Sequence, residues 1–133
     1  MAVGLGTTTL ANKWLDTLSN TSYASGSATL FAKLHTGDPG AAGATAASQH
    51  TTRASVSWAA ASGGSKAKSG TPSWTIASLT APTTESITHI SLWDNVSAGN
   101  FLWSIAVTTP RSVSNGDTLN LDTLTLSLTP LAA

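Results

Sequence analysis

Leu30-Phe31-Ala32-Lys33-Leu34-His35-Thr36-Gly37-Asp38-Pro39-Gly40-Ala41-Ala42-Gly43 is an alternating stretch that runs straight into a turn. Leu30, Ala32 and Leu34 fall on one side of an extended chain and Phe31, Lys33 and His35 on the other, the period of a strand with one face inward. Asp38-Pro39-Gly40 stops it. Proline presets φ near roughly −65° at the first central position of a turn, and glycine accepts the positive φ that a type II turn places next. His35 and Asp38 therefore read as flanks of a strand end, with His35 on the strand's exposed face.

Working outward, the same alternation recurs. Ala54 to Ala59 carries Val56 and Trp58 at period two, and Ser73 to Ile76 carries Trp74 and Ile76. Between them, Ala60 to Pro72 reads as a hairpin-like loop containing Gly63-Gly64, Lys66 and Lys68. Ile87 to Trp93 and Phe101 to Val107 are the strongest strands, joined by 94–100, which is rich in turn formers. They are expected to pair antiparallel, with Phe101, Trp103, Ile105 and Val107 on one face against Ile90 and Leu92. Pro110 is expected to keep the second from continuing as a central strand. Thr118 to Thr129 changes parity midway, and a bulge near Asp122-Thr123 would bring Leu119, Leu121, Leu124, Leu126 and Leu128 all inward.

Before the first strand, Thr7-Thr8-Thr9 offers capping hydroxyls, and Leu10, Trp14, Leu15 and Leu18 follow at helical spacing, which predicts a helix over Thr8 to Ser19. Residues 1–6 read as an N-terminal arm. The fold class is therefore mainly β, an antiparallel β-sandwich or barrel-like domain with one N-terminal α-helix, the single domain occupying 7–133.

Composition narrows the function. Of 133 residues only 9% are charged, the formal net charge is zero and there is no cysteine. A neutral, Ser/Thr-rich surface repels its neighbours weakly and suits a protein that lives in an assembly. No cluster of lysine and arginine tracks phosphates, so nucleic acid is not an expected partner. No apolar run approaches the roughly 20 residues of a membrane span, and no basic region precedes an apolar one as in a secretion signal, so neither membrane nor export is expected.

Nor does the pattern of polar residues point to catalysis. His35, His50 and His89 match no metal-ligand spacing, no serine sits in a G-x-S-x-G elbow, and Gly63-Gly64-Ser65-Lys66 lacks the spacing of a phosphate loop. The expectation is a protein that is not an enzyme, with no cofactor and no metal. The five tryptophans are the exception in so small a chain. Core anchoring accounts for most of them, because a buried indole covers roughly 150 to 250 Å². Trp93 lies out of phase with Ile90 and Leu92, so it is expected to leave the core and face a partner. With Val3 and Leu5 of the arm it forms the set of candidate partner contacts, and an exposed indole could instead stack on a glycan.

Leu34-His35-Thr36-Gly37-Asp38-Pro39-Gly40, Thr51-Thr52-Arg53, Thr88-His89-Ile90-Ser91-Leu92-Trp93-Asp94 and Gly99-Asn100-Phe101-Leu102-Trp103 together resemble a family of small structural proteins of tailed actinobacterial phages, described variously as tail-fibre-like, minor tail or capsid decoration proteins. The resemblance runs from the N-terminal Gly-Leu-Gly to the last strand and implies a virion structural protein with no catalytic residues. Fibres gain length from repeats or coiled coils, and this chain has neither. The leading expectation is thus a capsid decoration or cementing protein, a homotrimer bound to the major capsid protein or to other virion proteins. The alternatives are a minor tail or tail-fibre-like protein and, in another class, a carbohydrate-binding host-adhesion module.

Overall fold

The computed structural model describes Trp14, Leu15 and residues 29–128. Eight strands follow in chain order: β1 (Leu30–His35), β2 (Ala54–Trp58), β3 (Ser65–Ser69), β4 (Ser73–Thr75), β5 (Thr84–Trp93), β6 (Phe101–Ser114), β7 (Thr118–Asn120) and β8 (Thr125–Ser127). Six of them form one antiparallel sheet in the order β6-β5-β1-β2-β3-β8, which curls into a half-barrel, while β4 and β7 make a separate two-stranded ladder. The mainly β, barrel-like class expected from the alternation is the one observed. The arm and all but two residues of the predicted helix lie outside the described residues. Trp14 sets its ring edge-on to Trp103 of β6, with centroids 6.5 Å apart.

The opening stretch sits at the centre of the sheet. β1 pairs with β5 through Ala32↔Leu92 and Leu34↔Ile90, and with β2 through Leu30↔Val56 and Ala32↔Ala54. Those residues share the inner face. Ala32, Leu34, Val56, Ile90 and Leu92 are buried there in one cluster with Trp74, Ile76, Leu79, Ile87, Val113 and Leu124. Removing each large aliphatic side chain from water contributes about 1.5–3 kcal/mol, which makes this cluster the main support of the fold.

Two irregularities between β5 and β6 decide what faces where. Ile87 pairs with Arg111 and His89 with Ala106, so Thr88 alone stands opposite the four residues 107–110. β6 arches away from the ladder at that point. The arch holds Pro110, whose missing N–H then costs no ladder bond, and β6 resumes pairing to Ser114. The strand runs on through Pro110 to Ser114, but as the outermost strand of the sheet and not a central one, in keeping with the expectation for Pro110. On β5 the same irregularity lets Ile87 and Ile90, out of phase in a regular strand, both enter the core.

The second irregularity corrects the predicted face of Phe101. Leu92 pairs with Trp103, but the next pair is Trp93↔Phe101, so Leu102 is the extra residue of a bulge. Trp103 and Ile105 stay with the core as expected, whereas Phe101 turns to the opposite face beside Trp93.

Two further expectations need revision. The loop 60–72 contains a strand, since Ser65–Ser69 pairs with β2 on one side and β8 on the other. The parity change after Leu121 is met by a break, not a bulge: β7 joins β4 and β8 joins β3. Leu124 is buried and Leu119, Leu121 and Leu126 pack against the core, but Leu128 is half exposed at 50%.

Candidate functional site

The polar chemistry of the chain gathers on the outer face of the central strands. Register places Phe31, Trp93 and Phe101 in one row across β1, β5 and β6, then Lys33, Ser91 and Ser104, then His35, His89 and Ala106. Residues 36–50 fold back over part of this face, anchored by Thr36 N donating to Ala46 O at 2.9 Å and Ser48 N to Leu34 O at 3.1 Å. The turn that launches them is built as the sequence implies. Gly40 has φ +71°, and its N–H donates to Asp38 Oδ1 at 2.7 Å.

His35 is fully buried beneath this cover, which corrects its expected place on an exposed face. Its Nδ1–H donates to the carbonyl of Thr45 at 2.9 Å. Nε2 must then accept from the Ser91 hydroxyl at 2.8 Å, and Ser91 Oγ in turn accepts from Trp93 Nε1 at 2.8 Å. This chain fixes one neutral tautomer. Burial pushes the imidazole below its ordinary value; the bond to Thr45 opposes that, and the nearby Lys33 and His89 charges add to it.

A second network ties the covering segment to β5. Ser48 Oγ donates to Glu85 Oε2 at 2.6 Å, Gln49 N to Oε1 at 3.1 Å and Gln49 Nε2 to Oε1 at 3.0 Å. Burial alone would raise the Glu85 carboxyl, but these bonds more than offset it and hold the group below the usual carboxylate value.

Both shifts act in the same direction. The unfolded chain protonates His35 near its ordinary pKa of about 6.5 while the folded protein does not, so stability falls as pH drops through the window below that value. A second loss follows at lower pH, where Glu85 is protonated in the folded state. Denaturant unfolding is expected to show lower stability at pH 5.5 than at pH 7.5, with a smaller drop in His35→Gln. An unchanged drop in that variant would remove His35 as its cause.

Arg53 completes the outer face. Its Nη1 donates to the carbonyls of Asn95 and Ala98, both at 2.7 Å, and its guanidinium lies 4.1 Å from the centroid of the Trp93 ring. Arg53 therefore clamps the β5–β6 loop, which Asp94 also braces by accepting from Asn100 N at 2.7 Å and Asn100 Nδ2 at 2.8 Å. Val96 stands exposed at its tip.

Of the candidate partner contacts, Trp93 does leave the core as its phase implies. It is half-buried, with Arg53 over its ring and Phe101 edge-on at a centroid distance of 5.8 Å. Its indole N–H is also taken, so less of it is free for a partner or a glycan than the sequence suggests. Val3 and Leu5 lie outside the described residues. Sequence reading missed Lys33 and Arg53, and the signal was available: Lys33 lies in the opening strand and Arg53 immediately precedes the neighbouring one. Among the described residues no three His, Asp or Glu side chains converge as metal donors, and no helix is long and apolar enough to cross a membrane.

On the inner side, a cleft of about 500 Å³ opens between β6 and residues 119–125. Leu34, Ile87 and Ile90 form its floor, and Arg111, Asn120 and Asp122 stand among its polar lining.

In this curled antiparallel sheet the buried His35 and Glu85 are engaged in holding residues 36–50 in place, and the comparison with protein families says what kind of chain carries it. The model of the family described as podophage GP4 fiber I protein gp80 matches residues 6–129, and the chain belongs to that family. No curated protein matches the chain. The match makes this a phage fibre-family structural protein; the actinobacterial origin expected from the sequence has no counterpart in it. It also favours the fibre-like alternative over the capsid decoration reading, which had rested on the chain's compactness.

Proposed function

We propose that the chain is a tail-fibre or tail-fibre-like component of the phage particle, acting by assembly and not by catalysis. The observation that carries this reading is the family match over 6–129, nearly the whole sequence. The geometry supports it. His35, the most buried titratable group among the described residues, has both ring nitrogens engaged, one holding Thr45 of the covering segment and the other Ser91 of β5, and Arg53 is engaged in bracing a loop. Because the domain is small and carries no repeat, its part in a fibre would be that of a unit joined to its own copies and to neighbouring virion proteins.

Cryo-electron microscopy of particles carrying a tagged copy of the chain tests the assignment. Tag density on tail appendages is the expected result. Density confined to the capsid lattice would overturn it and restore the decoration reading.

A further inference from the structure

The turn from β6 to β7 contains Asn115-Gly116, the one place in the sequence where glycine follows asparagine. It closes on itself and on a distant segment. Asp117 N donates to Ser114 O at 3.1 Å and Ser114 N to Asp117 Oδ2 at 2.8 Å, while Gly116 N donates to Ile76 O at 2.9 Å and Ile76 N to Asp117 O at 2.8 Å. The Asn115 side chain extends this contact as a strand would. Its Nδ2 donates to Leu79 O at 2.8 Å and its Oδ1 accepts from Leu79 N at 2.9 Å, so both ends of the amide are bound to one residue. Ile76 and Leu79 are buried in the core, and an exposed turn thus fastens the segment that brings them inward.

Asparagine before glycine is the dipeptide most open to deamidation, because no side chain shields the glycine nitrogen or restricts its approach. Once that nitrogen gives up its proton to base, it attacks the asparagine Cγ; the N–Cγ bond forms, the Cγ–Nδ2 bond breaks and Nδ2 leaves as ammonia. Water then opens the five-membered ring to aspartate or isoaspartate. Both participants are held back here. The Gly116 proton faces Ile76 O, so losing it would set an anion against a carbonyl oxygen, and Cγ can turn toward that nitrogen only by breaking the Asn115 bonds to Leu79. A near-attack geometry requires the turn to open first.

We propose that Asn115-Gly116 is a deamidation site which the folded turn keeps closed, and that conversion of Asn115 releases residues 76–79 from the turn. The product carboxylate has no donor for Leu79 O and sets a negative charge against it. Isoaspartate also adds a methylene to the main chain within the turn. Because ammonia is lost, the release runs one way. This chemistry is independent of where on the particle the chain sits.

The test ages the full chain at mildly alkaline pH, folded and in unfolding concentrations of guanidinium chloride, and follows conversion by peptide mass spectrometry. Cleavage after Arg111 puts Asn115 and Asn120 in one peptide, so Asn120, which precedes leucine, serves as the internal reference. Conversion at Asn115 is expected to outpace Asn120 in the unfolded chain and to be at least about tenfold slower in the folded one, since several bonds must break before attack. Asn115→Asp, the product made directly, is expected to speed hydrogen exchange at the Leu79 and Gly116 amides at least about threefold. Equal rates of conversion in the folded and unfolded chains would overturn the protection, and no preference for Asn115 in the unfolded chain would overturn the site. Unchanged exchange in Asn115→Asp would overturn the release.

Discussion

Trp74→Ala is expected to lower the unfolding free energy by about 3–5 kcal/mol, the range for deleting a buried aromatic ring. Trp74 is 3% exposed and belongs to the central cluster with Leu34 and Ile87. Trp74 lines the open cleft, so the space its ring would leave adjoins one that is already there. Its indole Nε1 is buried without an acceptor among the described residues, so Trp74→Phe removes an unpaired donor along with the ring's extra volume. That variant should cost much less, and denaturant unfolding of the two side by side separates the packing contribution from the polar one. Trp103 is only partly buried and should cost less than Trp74 when truncated. The reverse ranking would place the centre of the core at β6 and not beneath β1.

Gly43→Ala is expected to cost about 2–4 kcal/mol, from two sources that add at one atom. The backbone there has φ +67°, and a Cβ would collide with the Cδ2 and Cγ atoms of the Phe101 ring. Phe101 cannot retreat freely, because Trp93 lies against it and Arg53 lies over Trp93. Gly63→Ala is the control. Gly63 also has positive φ, +55°, but nothing within 4 Å of the added atom, so it should show the backbone cost alone. Equal losses in the two variants would mean that contact with Phe101 contributes nothing.

Much of the sheet was legible from alternation alone. Leu30, Ala32 and Leu34 face the core as their spacing requires, and Ile90 and Leu92 meet Ile105 and Trp103 across the ladder. Errors arose where period two is interrupted. A single extra residue, Leu102, turns Phe101 to the other face, and nothing local in Gly99-Asn100-Phe101-Leu102-Trp103 distinguishes a bulge from a regular strand. The last segment shows the same limit, since its parity change was visible but not whether a bulge or a change of partner strand would resolve it.

The outer face was harder to read for a different reason. His35 looks exposed in an isolated strand and becomes fully buried only because residues 36–50 fold over it. The closeness of Arg53 to the Trp93 ring depends on how β1 registers against β2 and β5, which alternation along a single strand does not fix.

The arch at 107–110 has a consequence for a protein held at high local concentration in a particle. β6 is the last strand of its sheet, and a long straight border would offer main-chain groups to any extended segment that came near. The arch interrupts that border, and Pro110 contributes no N–H within it. Open-ended cross-β stacking through β6 is thereby discouraged. Along that border any contact would fall to side chains, which can be matched, screened by salt and reversed.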